Sequence, residues 1–262
     1  MKFNFKNEIT ALLQKFRELD KKIVTIFVSI ALLQAVSFHF ASTKFFYDAG
    51  LSGYVPASYS ELYANLYWFG ADIILLFIIP ALIILFYFRE KIQNYGLVSG
   101  SVKTGLKLSL PVILLMALLI WFVSASEEFT QSYPSLKTAA DFSLQFLIYE
   151  IALLIYLIAW EFIWRGYMLF GLEEKFGYYA VFIQMIPFVI MHAGKPFIEM
   201  LGAIPGGIFL GVLALRTRSI FYGVIIHFFV MLFIDAISIL RLKSDDFGVG
   251  IGSLIHIFSH LF

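Results

Sequence analysis

The sequence predicts an all-α fold, a bundle of membrane-spanning helices, and three observations lead there. Of its 262 residues 61% are hydrophobic and only 14% charged, too few charges to cover a water-soluble surface of this size. The apolar residues come in blocks of about 20, the length that crosses ~30 Å of hydrocarbon as helix. Within a block such as IILLFIIPALIILF (73–86) hydrophobicity does not alternate, so a barrel strand is excluded and only helix satisfies the backbone in lipid.

Taken in order, apolar spans fall at 23–43, 67–88, 106–124, 142–171, 178–193, 199–215 and 219–240. The tail 248–262 is apolar but 15 residues long, which fits either a tilted eighth span or a segment lying in the interface. The expectation is therefore a bundle of seven or eight spans at 23–262, preceded by a cytoplasmic segment at 1–22. Pro80, Pro111, Pro187 and Pro205 lie inside spans and predict kinks there.

Charge orients the bundle. The first 22 residues carry six lysines and arginines and are too long and too mixed in charge for a signal peptide. A cytoplasmic N-terminus puts 13 Lys/Arg inside and five outside, with Arg165 left within a span. This predicts a multi-pass protein of the cell membrane, with outer loops at 44–66 and 125–141. The net charge of +1 gives no reason to invoke nucleic acid, and the absence of cysteine excludes disulfides, thiol catalysis and cysteine-ligated zinc.

Ionisable residues inside spans carry the functional information, because charge in lipid is expensive. The block YEIALLIYLIAWEFIWRGYMLFGLEEKFG (149–177) places Glu150, Glu161 and Arg165 in one apolar helix. At ~100° per residue all three share a face, with Arg165 one turn beyond Glu161, and that face must look into the bundle or a wet cavity. Further on come His192, at the end of its span, and His227, two turns before Asp235. Counted from the cytoplasmic boundaries, Glu161, His192 and His227 lie ~21, ~25 and ~14 Å deep, close enough to meet once helices tilt. A buried Glu161–Arg165 strut, with the histidines bonding between helices, is the plainer alternative.

These residues carry a resemblance. WEFIWRGYML (160–169) resembles the first motif, EExxxR, of the CAAX protease and bacteriocin-processing family of intramembrane glutamic proteases. Phe188 to His192 matches its second motif, FxxxH, and His227 matches in part its third, HxxxN. The three stand in family order over about 142–240.

The resemblance implies an intramembrane endopeptidase acting on membrane-anchored or lipidated protein or peptide substrates. Glu161 and His192 would activate water, Arg165 would poise the carboxylate, and His227 would steady the oxyanion. Glu150 and Asp235 are secondary candidates. Two positions depart from the pattern: Trp160 stands where the family's leading, usually catalytic, glutamate falls, and Met231 stands where its asparagine falls. A catalytically inactive scaffold or immunity protein is therefore the alternative function, with a transporter behind it. Glu161, His192 and His227 are also zinc-type ligands, but no HExxH spacing occurs, so the expectation is no cofactor.

Other polar residues have plainer readings. Asp72 is a helix-packing partner to test; His39, His256 and His260 are interfacial anchors; Glu173-Glu174-Lys175 is a solvated turn.

Overall fold

The computed structural model describes residues 5–138 and 143–259; His260 lies outside them. Among the described residues the protein is helical, without strands. An amphipathic helix, α1 (Phe5–Arg17), precedes α2 (Lys21–Phe40), whose N-terminus is capped by Asp20 accepting from the Lys22 and Ile23 amides. The other long helices are α3 (Ala57–Phe88), α4 (Val102–Val123), α5 (Leu144–Phe176), α7 (Phe197–Thr217) and α8 (Phe221–Ser244), with a shorter α6 (Tyr179–Ile190) between α5 and α7. The last described helix is α9 (Ile251–Ser259).

Six of these, α2, α3, α4, α5, α7 and α8, are long and apolar enough to cross a membrane. The expected span at 178–193 is the short one: α6 has 12 residues, ~18 Å of helix, and ends in a turn leading to left-handed Gly194. The tail is not a further crossing in its described part, because nine residues of helix give only ~14 Å. The loop expected at 44–66 is shorter than that, since helix begins again at Ala57 and a turn of helix occupies Thr43–Asp48.

The in-span prolines fall into two groups. Pro111, Pro187 and Pro205 sit within α4, α6 and α7, whereas Pro80 lies between two π-helical stretches of α3, Ile74–Ile78 and Ile83–Phe88, which absorb the missing hydrogen bond. α3 and α7 end where Arg89 and Arg218 take the left-handed conformation.

The helix α5 is the centre, packed by α2, α3, α6, α7 and α8. Its second half, Phe162–Phe170, is π-helical and buried at every residue. Outward faces of α2, α3 and α4 instead expose Leu32, Phe86 and Leu114, as lipid-facing surface does. α6 and α7 approach closely through Gly207 and Gly211, and Gln184 Nε2 donates to the Val181 and Gly207 carbonyls at 2.9 Å, fixing the helix that ends beside His192.

Candidate active site

Glu161 and Arg165 are one helical turn apart on α5, and both are fully buried. Arg165 Nη1 donates to Glu161 Oε1 at 2.9 Å, and His227 Nδ1 of α8 lies 2.7 Å from the same oxygen. The carboxylate thus joins two helices. Its other oxygen, Oε2, has no hydrogen-bond partner among the described residues and points at Gly223, where a Cβ would overlap it. Glycine is required there by close approach rather than by backbone conformation.

Phe188 organises the other side. The Arg165 guanidinium carbon stands 4.1 Å from the centre of its ring, a cation–π contact in a dry setting. The same ring packs against His192 at 4.6 Å and His227 at 5.9 Å between centroids. The Phe188 carbonyl lies 2.7 Å from His192 Nδ1. A carbonyl only accepts, so Nδ1 carries the proton and Nε2 of His192 is the basic nitrogen. The same argument at Glu161 leaves Nε2 of His227 as its basic nitrogen.

Both histidines line a cavity of about 760 Å³. Trp160 and Met231 line it too, and the Trp160 ring lies 6.4 Å from that of His192. Glu161 does not reach it. Opposite, Asp72 accepts from Ser37 Oγ at 2.6 Å and from Trp68 Nε1 at 2.8 Å, so it is the packing partner between α2 and α3 and also holds a wall of the cavity.

The structure therefore brings Glu161, Arg165 and His227 into direct contact and sets His192 across Phe188 from them. The secondary candidates lie elsewhere. Glu150 is buried on α5 with neither carboxyl oxygen partnered among the described residues, and Asp235 accepts from the Ser135 amide at 2.5 Å, tying the loop before α5 to α8. Glu173 is not merely solvated, since Arg218 grips both its oxygens at 2.7 and 2.8 Å. His256 pairs with Asp246 at 3.0 Å. Sequence reasoning missed Phe188 as a structural residue and Gly223 altogether; a glycine in an apolar helix four residues before a histidine was the available signal.

Residues 142–233 match the family described as Type II CAAX prenyl endopeptidase Rce1-like, and that segment holds Glu161, Arg165, Phe188, His192 and His227. The motif resemblance and the family match thus fall on the same stretch, which takes in α5, α6, α7 and about the first half of α8. No curated protein and no solved structure matches the chain.

Proposed function

We propose that this integral membrane protein is an endopeptidase of the CAAX prenyl type that hydrolyses membrane-anchored or lipidated protein or peptide substrates in the cavity lined by His192 and His227. The observation that carries the reading is the Glu161–His227 contact at 2.7 Å, made inside the segment that matches the protease family.

The geometry favours a histidine over the buried carboxylate as the group that meets water. Held through Nδ1 by Glu161, His227 turns its basic Nε2 to the task of taking a proton from water as it attacks the scissile carbonyl. The imidazolium that forms is stabilised by the adjacent carboxylate, and its proton passes to the leaving amine. Arg165 keeps Glu161 paired in place, and His192 Nε2 accepts the second O–H of the water, aiming it. Glu161 is then a positioning residue. The asparagine of the family pattern is replaced by Met231, whose thioether supplies no donor, so no side chain from that helical turn steadies the oxyanion. This chemistry calls on no metal or cofactor.

One observation favours a second reading, a binding protein without catalysis: Trp160 fills part of the cavity wall where the pattern has its leading glutamate. Mass spectrometry of membrane proteins from cells carrying the intact protein, Glu161→Gln, His192→Ala or His227→Ala, at equal abundance, separates the two. A cleavage product lost in all three variants supports the endopeptidase; if no product depends on any of them, the binding reading replaces it.

A further inference from the structure

We infer that the cavity opens to the extracytoplasmic face and receives there the juxtamembrane segment of a membrane-anchored peptide or protein displayed on the outer side. That this segment is cleaved rests on the endopeptidase reading; the side does not.

The rim residues share one end of the bundle. Thr43 and Tyr47 follow α2, Glu61 lies near the start of α3, Ser132 lies between α4 and α5, Lys195 lies between α6 and α7, and Glu199 lies in the first turn of α7. Arg89, Lys91, Lys103, Lys107, Lys175, Arg216 and Arg218 cluster at the opposite end, with the segment that precedes α2. Short connections rich in lysine and arginine stay in the cytoplasm, so the cavity end faces outward.

The cytoplasmic half is packed. Below the histidines, buried Phe162–Phe170 packs with Ile26, Ile84, Tyr95, Ala180 and Ile220 into one apolar core. The pocket at that end, about 540 Å³, is lined by residues such as Lys22, Glu90, Glu173 and Arg218 and by none of Glu161, His192 or His227.

The chemistry of the wall fits a peptide leaving an outer-leaflet anchor. Phe69, Tyr149, Tyr156, Trp160 and Met231 offer an apolar depth for side chains beside the scissile bond. Glu61 and Lys195 at the rim suit the polar chain that continues into water; Tyr133, beneath the rim, donates to Glu199 at 2.6 Å and lies under Lys195 at 5.1 Å.

The chain has no cysteine, which gives a silent background for labelling. Single substitutions Ser132→Cys at the rim and Met231→Cys in the depth are compared with Asn94→Cys at the cytoplasmic pocket, in intact cells treated with a membrane-impermeant maleimide and again after permeabilisation. Rim and depth positions should react in intact cells, several-fold faster than Asn94→Cys, which should react only once the membrane is opened. The reverse pattern overturns the outer opening, as does a Met231→Cys that stays unreactive while Ser132→Cys reacts, because the cavity is then sealed. Two rim controls guard against misfolding: Thr43→Cys and Lys195→Cys must follow Ser132→Cys, and disagreement among the three overturns the assigned end. Labelling needs no cleavage, so outside labelling without histidine-dependent proteolysis retains the outer cavity and removes the endopeptidase, and inside labelling with proteolysis does the opposite.

Discussion

Trp160 and Glu161 are neighbours in the chain that serve different spaces: Trp160 lines the cavity with its ring 6.4 Å from that of His192, whereas Glu161 is fully buried with Oε1 2.7 Å from His227 Nδ1. One residue along a helix turns a side chain by ~100°, enough to exchange a wet wall for a dry interior. A carboxylate on that wall at position 160 would meet His192 directly. The carboxylate that remains acts through His227, and the consequences can be measured residue by residue.

Phe188 is expected to behave as a keystone. Its ring touches both histidines and the Arg165 guanidinium, while its carbonyl fixes the His192 tautomer. Phe188→Leu keeps apolar bulk and the carbonyl but loses the cation–π contact, for which about 2 kcal/mol is expected at a desolvated site. Cleavage should fall, and thermal unfolding in detergent should shift down, by more than for the same change at Phe229, which faces outward. Equal shifts at both positions would remove the keystone role.

The Glu161–Arg165 pair sets a second expectation. Breaking a buried pair from one side leaves an uncompensated charge and costs roughly 3–5 kcal/mol, while replacing both partners by apolar residues costs much less. Glu161→Leu should therefore lower the unfolding temperature on the order of 10 °C for a chain of this size. The double change Glu161→Leu with Arg165→Leu should recover most of that loss without restoring cleavage. A double variant no more stable than the single one would show that the pair is not the source of the effect.

Much of this was legible in the sequence, and the reason is physical. Apolar block length fixes helix in lipid, and the cost of charge there makes Glu161, Arg165 and the two histidines stand out before any coordinates. Helical periodicity gave Glu150, Glu161 and Arg165 a common face, and all three are buried. Periodicity is silent on what crosses from another helix. Asp235 shares α8 with His227, yet it reaches Ser135 in a loop, and His227 is held by α5. π-Helical winding over Phe162–Phe170 leaves no mark on composition, and α6 was read too long because an apolar turn after a helix looks like more helix.

Gly223 offers the sharpest steric test. A methyl group there would overlap Glu161 Oε2, the oxygen that has no hydrogen-bond partner among the described residues, and neither α5 nor α8 can retreat from a packed interface. Overpacking of this kind costs typically ~1–3 kcal/mol. Gly223→Ala should push the carboxylate off His227 and reduce cleavage more than it reduces stability, whereas Gly202→Ala, which opens onto free space in α7, should do neither. A Gly223→Ala protein with full activity would show that the Glu161–His227 contact is dispensable.

Trp160→Glu reaches furthest, because it restores the leading carboxylate of the family pattern on the cavity wall beside His192. A general base placed there is worth about 10²–10⁴ in rate when its geometry is good, so even an imperfect fit should raise cleavage ~10-fold. Removing the indole also enlarges the cavity, which by itself changes access. Trp160→Gln separates the two effects, since it has the size of glutamate without its basicity, and any gain common to both variants belongs to space alone. A rise confined to Trp160→Glu, abolished again by His192→Ala, would show that His192 and the cavity are competent for hydrolysis and that the natural tryptophan restrains them. Unchanged product in both, with the protein folded and abundant, would mean that the cavity binds its ligand without cutting it.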